Sequence, residues 1–311
     1  MTQMSGKPQF EKEADEDGRF VRQESRFREL VMERPEAGRY HLYVSLACPW
    51  ASRTAIVRQI MGLEELLPMT VVDPIRDDKG WRFTDEEPDP VNGFAYLKEA
   101  YLLTDPSFDD RVTVPVLFDI QNNRIVNNES AEIIRMLNAW APNCHDLYPP
   151  DLRTAIDEVN DRVYNSVNNG VYRAGFATSQ HAYEEAFDEL FQTLDWLDDR
   201  LATNRYLLGD EITEADWRLF VTLVRFDAVY VGHFKCNRRR IADYDHLSGY
   251  LRDLYQEPGI ADTVDFDHIK RHYYMTHPEL NPTRIVPKGP ELDLWASHDR
   301  DRLELRRGTA A

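Results

Sequence analysis

The sequence contains few cysteines. Its 311 residues include only Cys48, Cys144 and Cys236, an odd number at wide spacing. This pattern argues against a disulfide framework and against a zinc site built on cysteine. We therefore expect a protein of a reducing compartment that holds no metal.

Long apolar runs are also missing. No window approaches the roughly 18 consecutive apolar residues that a membrane-spanning helix needs. The first 30 residues are charged and polar where a signal peptide requires an apolar stretch. The sequence thus predicts a cytoplasmic protein without a membrane partner.

Basic residues are outnumbered, 37 against 55 acidic ones, and lysine occurs at only seven positions. The formal net charge of -18 should repel nucleic acid and anionic membranes. Two interpretations remain: an acidic surface for a partner, or adaptation to a salt-rich cytoplasm that screens the self-repulsion. Because the acidic residues are scattered along the chain, we favour the halophilic interpretation.

The first half of the chain predicts an α/β domain. Residues 1–37 form a polar arm to which the sequence assigns no chemistry. The alternating run 39–45 predicts a strand, and Pro49 opens a helix that Gly62 ends. The pattern continues with strands at 67–73, 112–118 and 125–126 and with helices at 96–103 and 130–140. Pro115 should stand at a strand start or follow a cis bond, because it cannot donate a ladder hydrogen bond.

The second half predicts a helical bundle. Residues 142–150 lose periodicity and contain prolines, as a linker does. Apolar residues then recur at helical spacing, which predicts helices at 152–168, 179–201, 213–230 and 245–256. Thr213 and Asp216 predict a capping box for the third of these helices. We expect a thioredoxin-like domain at 38–141, a helical substrate domain at 151–275 and an extended tail at 276–311.

Cys48 is the candidate nucleophile. It stands between a strand and a helix that begins at Pro49, where the first helical N–H groups and the helix dipole stabilise a thiolate. The alternative is an ordinary buried cysteine that packs as a small apolar residue. Cys144 and Cys236 lack this context, and we expect both to be structural.

Ala51 stands where a dithiol oxidoreductase has its second cysteine. After Cys48 has attacked a sulfur atom, the protein is left as a mixed disulfide that only an external thiol can release. The motif therefore predicts a monothiol cycle that consumes a small thiol.

A second group of residues fits a γ-glutamyl ligand. The extended segment at Val114, before Pro115, can pair its backbone with a peptide-like ligand. Ser130 at a helix start can hold an α-carboxylate, and the neighbouring Glu129 can hold an α-amino group. The alternative is that both residues only cap the helix.

Six stretches of the sequence carry a family resemblance. They are YHLYVSLACPWA (40–51), RVTVPV (111–116), IVNNESAEIIR (125–135), NGVYRAGF (169–176), YVGHFKCN (230–237) and HIKRHYY (268–274). The chain resembles the glutathionyl-hydroquinone reductases, also called Xi-class glutathione transferases. Ser52 departs from the resemblance, since the family often has histidine there.

The resemblance implies a glutathione transferase fold, a homodimer and glutathione as the thiol co-substrate. Cys48 would attack the sulfur of a glutathionyl-hydroquinone, and a second glutathione would resolve the mixed disulfide. γ-Glutamylcysteine stays open as the native thiol, since the residues at 129 and 130 contact only the γ-glutamyl end. A general monothiol reductase of mixed disulfides and a non-catalytic binding protein also stay open.

The resemblance also assigns the remaining site residues. The aromatic substrate would lie against Tyr172 and Tyr273, which we take with Cys48 as catalytic, and Tyr230 is a third candidate. The thiol would bind at Trp81, Arg111, Val114, Glu129 and Ser130. Further residues of the matching stretches that could assist are His233, Lys235 and Lys270.

Overall fold

A computed structural model of the protein describes residues 14–303. The start of the predicted arm, 1–13, and the end of the predicted tail, 304–311, lie outside the described residues. Most of the buried apolar side chains form one continuous core cluster that extends from the sheet into the bundle.

A four-stranded mixed sheet organises the first half. Its strands are β1 (Tyr40–Val44), β2 (Met69–Val71), β3 (Val116–Asp119) and β4 (Arg124–Asn127). Their order is β2-β1-β3-β4, with β1 parallel to β2 and the other pairs antiparallel. Three helices accompany the sheet: α1 (Pro49–Ile60), α2 (Lys98–Thr104) and α3 (Ser130–Trp140). This part of the chain is the thioredoxin-like domain that the sequence predicts.

The strand predicted at 112–118 is shorter than expected. The Val114–Pro115 bond is cis, and β3 begins only at Val116, so Val112 and Thr113 lie outside the sheet. Proline has no N–H with which to extend the ladder. The segment before it is therefore available to line a cavity.

Six α-helices form the second half as far as residue 303: α4 (Arg153–Val163), α5 (Gly170–Gly175), α6 (Gln180–Leu201), α7 (Glu214–Arg225), α8 (Leu247–Gln256) and α9 (Phe266–Thr276). The helices predicted at 152–168 and 213–230 are confirmed, and their last turns are π-helical at Tyr164–Asn168 and Phe226–Tyr230. Apolar periodicity does not distinguish an α-turn from a π-turn, and π-turns occur frequently at functional sites.

The described part of the arm lies along the outer edge of the sheet. Arg28 forms a bridge with Asn127 of β4, and the Glu29 N–H donates to the Val126 carbonyl at 3.1 Å. The Asn128 N–H donates back to the Phe27 carbonyl at 3.0 Å. The arm thus covers a strand edge whose backbone groups would otherwise be unpaired.

The bundle holds the start of α1 through a buried side chain. Arg53 of α1 is 1% exposed and donates to the Asn168 side chain of the first π-turn at 2.7 Å. Burial, together with the nearby charge of Arg218, lowers the pKa of Arg53 to about 9. This contact fixes the beginning of α1 against the bundle.

The described part of the tail is mostly extended and is anchored by Arg300. Its buried guanidinium donates to the carbonyl oxygens of Leu201, Asn204 and Arg205 at 3.1, 2.5 and 2.6 Å. Within residues 14–303, no helix combines the length and the apolar composition that crossing a membrane would require.

Candidate active site

Cys48 lies at the N-terminus of α1, as the strand-Cys-Pro-helix pattern predicts. It is the N-cap residue, with an extended backbone (φ -79°, ψ 121°), and Pro49 opens the helix. Cys48 is partly exposed and lines a cavity, and its Sγ lies 3.7 Å from the carbonyl oxygen of Val114. The sulfur is therefore accessible at a position where helical N–H groups favour an anion.

The other two thiols lie away from this sulfur. All three cysteines fall within the described residues and are free. Cys144 is exposed in the linker region, and Cys236 is buried, which raises the pKa of its thiol. Neither of them lines the cavity that contains Cys48.

Two adjoining cavities lie at the candidate site, and Cys48 lines the first of them. The first, of about 580 Å³, contains the sulfur and the aromatic side chains of both domains. The second, of about 850 Å³, lies along the start of α3. Val114 and Arg111 border both cavities, so a single elongated ligand could occupy the two of them.

The second cavity contains the predicted γ-glutamyl site. Glu129 caps α3 by accepting from the Ala131 N–H, and its other carboxylate oxygen accepts from the Ser25 hydroxyl at 2.9 Å. Ser130 is the first residue of α3 and also borders the cavity. The two side chains thus lie at a helix N-terminus, where an anionic group is favoured.

Trp81 and Arg111 lie on the first cavity. Trp81 is 3% exposed and stacks on His272 of α9, with ring centroids 5.0 Å apart. Arg111 is held by the arm, because its N–H donates to the Gln23 side-chain oxygen at 3.1 Å. All five residues that the resemblance assigns to thiol binding therefore border one of the two cavities.

Three tyrosine hydroxyls form a chain in the bundle wall. The Tyr172 and Tyr273 oxygens are 2.6 Å apart, and those of Tyr273 and Tyr230 are 3.0 Å apart. Burial raises the pKa of each hydroxyl, and for Tyr172 the nearby charge of Cys48 raises it further. Tyr172 and Tyr273 line the cavity and are protonated at neutral pH, so they can donate hydrogen bonds to an oxygen of a bound ligand.

Three histidines lie near these tyrosines, and two of them, His272 and His277, also line the first cavity. His233 Nε2 is 3.1 Å from His277 Nδ1, and His272 Nδ1 is 2.7 Å from the Pro74 carbonyl oxygen. Burial lowers the pKa of His272 to about 3 and that of His233 to about 4, and it lowers the pKa of His277 well below its usual value. All three imidazoles are therefore neutral. Among residues 14–303, no group of three or more His, Cys, Asp or Glu side chains is placed to hold a metal.

The two candidate lysines do not line the cavity. The Lys270 ammonium donates to the Lys288 carbonyl at 2.9 Å on the surface. Lys235 has a left-handed backbone (φ 60°), and its carbonyl accepts from the Tyr183 hydroxyl. Both lysines belong to stretches that carry the family resemblance, but neither of them lines the cavity that contains Cys48.

The arm contributes side chains that the sequence did not predict. Phe20 and Arg22 line the first cavity, and Arg22, Gln23 and Ser25 line the second. Trp50 lies between the cavities, and Arg76 lines the first. The polar composition of the arm carries no signal for this contact, since the contact depends on where the arm lies in the fold.

Arg225 is a further residue that sequence reasoning missed. This α7 side chain is 1% exposed, and it donates to the carbonyls of Ala47 and Leu46 at 2.9 and 2.8 Å. It also donates to the Ser52 hydroxyl at 2.5 Å and to the Val221 carbonyl at 2.7 Å. All four acceptors are uncharged. A buried cation therefore lies beside the turn that carries the candidate nucleophile.

Known proteins share this architecture. The chain matches the family model of the glutathione S-transferase N-terminal domain over residues 47–140 and that of the C-terminal domain over residues 180–253. A thioredoxin-like domain followed by a helical bundle, with the thiol site at the sheet and the second cavity wall from the bundle, defines the class of glutathione transferases.

Among its relatives, the chain is 54% identical over 274 residues to the glutathionyl-hydroquinone reductase YqjG of Escherichia coli, which spans 86% of this chain and 84% of the relative. It is 51% identical over 282 residues to the glutathionyl-hydroquinone reductase PcpF of Sphingobium chlorophenolicum, over 88% and 90% of the two chains.

Solved structures agree. The glutathione-bound structure of YqjG superimposes with a TM-score of 0.84 at 53% identity, covering 86% of this chain and 89% of that one. The Xi glutathione S-transferase of Phanerochaete chrysosporium gives 0.86 at 50% identity, covering 89% and 94%. The chain belongs to the Xi class of glutathione transferases, the family of the glutathionyl-hydroquinone reductases.

Proposed function

We propose that the protein removes glutathione from glutathionyl-hydroquinones, with Cys48 as the nucleophile. One observation carries the proposal: Cys48, which is partly exposed, lines the same cavity as Tyr172 and Tyr273, and neither of the other two cysteines lines that cavity. The two curated relatives described above bear this activity in their names.

The reaction proceeds in two thiol exchanges. The Cys48 thiolate attacks the sulfur of the conjugate, a disulfide to glutathione forms, and the carbon–sulfur bond breaks with its electron pair left on the ring carbon. That carbon takes up a proton and free hydroquinone leaves. A second glutathione thiolate then attacks the mixed disulfide, which releases oxidised glutathione and the Cys48 thiolate. An external thiol is required because Ala51 occupies the resolving position.

The second cavity holds the γ-glutamyl end of the thiol. Glu129 faces its α-amino group, and Ser130 at the start of α3 faces its α-carboxylate. Val114 pairs with the peptide backbone, while Trp81 and Arg111 bound the rest of the ligand. Since the contacts at 129 and 130 involve only the γ-glutamyl end, γ-glutamylcysteine fits them as well as glutathione.

The tyrosines act on the aromatic half of the substrate. Their protonated hydroxyls, linked at 2.6 Å, can bond a quinol oxygen and relay a proton toward the ring carbon as sulfur departs. Tyr230 extends the chain at 3.0 Å from Tyr273 and does not border the cavity, so it acts only through Tyr273.

The test is consumption of glutathione with a glutathionyl-hydroquinone as substrate. We expect Cys48→Ala to be inactive and Cys144→Ala, whose thiol is exposed in the linker, to match the wild type. The double variant Tyr172→Phe with Tyr273→Phe should lose quinol turnover by about a hundredfold, the usual value of acid–base assistance. Full activity of Cys48→Ala would refute the proposal.

A general monothiol reductase is the second candidate, favoured by the partial exposure of Cys48. Such an enzyme would use the same sulfur without the tyrosines. With a small mixed disulfide as substrate, the double tyrosine variant should keep its activity under either mechanism. Equal loss of quinol turnover and of disulfide exchange would remove the assigned role of the tyrosines. A non-catalytic binding protein would show no turnover that depends on Cys48, so Cys48→Ala would behave like the wild type in every assay.

We further propose a cytoplasmic homodimer with no nucleic-acid or membrane partner, divided into the domains 38–141 and 151–275. The net charge of -18 supports the lack of anionic partners. Light scattering across a dilution series tests the dimer, and a mass near the monomer value of 36.4 kDa would contradict it.

A further inference from the structure

Arg22 of the arm lies at the aromatic end of the site. The centre of its guanidinium is 4.7 Å from the Trp50 ring and 4.6 Å from the Tyr172 ring, and Phe20 lies 5.3 Å away. Its Nε donates to the Asn169 side-chain oxygen at 2.8 Å. The planar cation is therefore held between two rings that belong to different domains, with its orientation set by Asn169.

One nitrogen of this guanidinium has no acceptor. Arg22 Nη2 is buried and makes no hydrogen bond within the part of the chain that the structure describes. Of the other arginines in the described part of the arm, three pair with carboxylates: Arg19 with Asp17 and Glu185, Arg26 with Asp105 and Asp110, and Arg28 with Glu132. The fourth, Arg34, donates to the Trp140 carbonyl. A buried N–H donor of a cation that makes no hydrogen bond costs free energy. In a chain with so many carboxylates, its missing partner points to a ligand.

The cavity around Cys48 is positively charged. Arg22, Arg76 and Arg111 line it, and among residues 14–303 no aspartate or glutamate does so. The rest of its lining is aromatic, uncharged or a neutral histidine. A cavity of one sign with apolar walls concentrates counter-ions, here within a molecule whose formal charge is -18. The site therefore selects anions against the field of the whole protein.

The anion that Arg22 meets belongs to the aromatic half of the ligand. Glutathione brings one carboxylate to the second cavity at Ser130, and Arg111 is the arginine assigned to the remainder of the thiol. Arg22 borders both cavities, but its guanidinium packs on Tyr172 and on Trp50, at the aromatic end of the site. The guanidinium of Arg22, which lines the first cavity, is thus placed for a group that projects from the quinol ring.

We propose that Arg22 binds a carboxylate carried by the aromatic ring, so that the enzyme favours conjugates of acidic hydroquinones over uncharged ones. The inference rests on the proposed function and names the substrate class of the same site. Arginine suits this role because its planar fork pairs with a carboxylate through two hydrogen bonds.

The experiment compares two substrates, the glutathionyl adducts of hydroquinone and of 2,5-dihydroxybenzoic acid. We expect a higher kcat/KM for the acidic adduct in the wild type. The ratio of the two kcat/KM values should fall about tenfold to a hundredfold in Arg22→Gln, the usual loss for a hydrogen bond to a charged group. Arg22→Lys should keep part of the preference. Arg26→Gln, whose ion pair lies outside the cavities, is the matched control and should leave the ratio unchanged.

A binding measurement on the wild-type protein makes the test independent of how the variants fold. Titration calorimetry should show 2,5-dihydroxybenzoate binding about tenfold more tightly than hydroquinone, with the difference shrinking as salt is raised. Equal affinities in the wild type, or an unchanged substrate ratio in Arg22→Gln, would overturn the inference. A rise in KM confined to glutathione as the resolving thiol would also overturn it. If neither adduct is turned over, the proposed function fails, whatever Arg22 binds.

Discussion

At the residue scale, a cation from the other domain lies beside the turn that carries Cys48. Arg225 is buried, and its four hydrogen bonds go to uncharged acceptors, three of them in the segment 46–52 that flanks the sulfur. A buried charge without a counter-ion costs several kcal/mol. We infer that the guanidinium holds this turn in place and contributes a positive charge to the surroundings of the sulfur.

Arg225→Gln should therefore lower the rate at which iodoacetamide alkylates Cys48 at neutral pH by about tenfold, since one lost charge interaction in the interior is worth on the order of 1–2 kcal/mol. Arg225→Lys keeps the charge and should restore most of the rate. The measurement is the pH profile of alkylation, with near-UV circular dichroism to confirm that the packing persists. Identical profiles for wild type and Arg225→Gln would show that the side chain only supports the turn.

The buried neutral histidines make the free energy of unfolding depend on pH. Burial lowers the pKa of His233 in the folded protein to about 4, whereas an unfolded histidine titrates near 6.5. Between these two pH values the unfolded chain binds a proton at this histidine and the folded protein does not. The contribution of His233 to the stability of the fold is therefore fully present above about pH 6.5 and is lost as the pH falls towards 4.

We predict that His233→Gln flattens this acid dependence. The difference between the free energies of unfolding at pH 7 and pH 5 should shrink by about 1–2 kcal/mol relative to wild type. Urea unfolding at both pH values measures it. The exposed His181→Gln serves as the control and should leave the difference as it is. A slope in His233→Gln as steep as the wild-type slope would contradict the assignment.

At the element scale, α7 depends on its predicted capping box. Asp216 is fully buried and accepts from the N–H groups of Thr213 and Leu207 at 2.8 and 2.9 Å. The hydroxyl of Tyr250, on α8, also donates to it at 2.8 Å. The residue thus joins a helix start, a loop and a second helix.

Asp216→Ala should lower the free energy of unfolding by about 2–4 kcal/mol, because it removes a cap and leaves several buried donors unmade. Urea unfolding with an unchanged m-value is the measurement. Glu211→Ala, a nearby exposed position, should change it by less than about 0.5 kcal/mol. An equal loss of stability in both variants would contradict the role assigned to the buried Asp216 as a helix cap.

The elements also show where pattern reading stops. β1, α1, α3 and α6 lie within a residue or two of their predicted bounds, because their apolar periodicity and caps are local properties. The strand predicted from residue 112 begins only at Val116. The helices to 168 and 230 were predicted, but the π-helical form of their last turns was not, since it depends on what packs against them. The helices α5 and α9 went unpredicted for the same reason, as their buried faces meet distant parts of the chain.

At the scale of the whole molecule, the excess acidic side chains that give the net charge of -18 repel one another. Salt screens charges separated by more than about 10 Å at 0.1 M, and more strongly above that. We predict that Tm rises between 0.1 and 2 M NaCl, by about 2–3 °C for each kcal/mol of relieved repulsion. Differential scanning calorimetry measures it. Sodium chloride is preferred to sulfate, which strengthens apolar burial by itself. A flat or falling Tm would contradict the halophilic interpretation.

The sequence by itself determined the features that are local. The helix start at Cys48, the missing thiol at Ala51, the pair Glu129–Ser130 and the cap of α7 each need only neighbouring residues. These motifs carried the family resemblance, and with it the thioredoxin-like fold followed by a helical bundle.

Only the tertiary structure decided what surrounds the sulfur. Arg225 reaches the Ala47 carbonyl across 178 residues of sequence, and Arg22 reaches Asn169 across 147. Neither contact leaves a periodic or compositional trace, because a long side chain is placed by the packing of its whole element. The charge of the cavity, opposite in sign to that of the molecule, follows from such placements and could not be read from the chain.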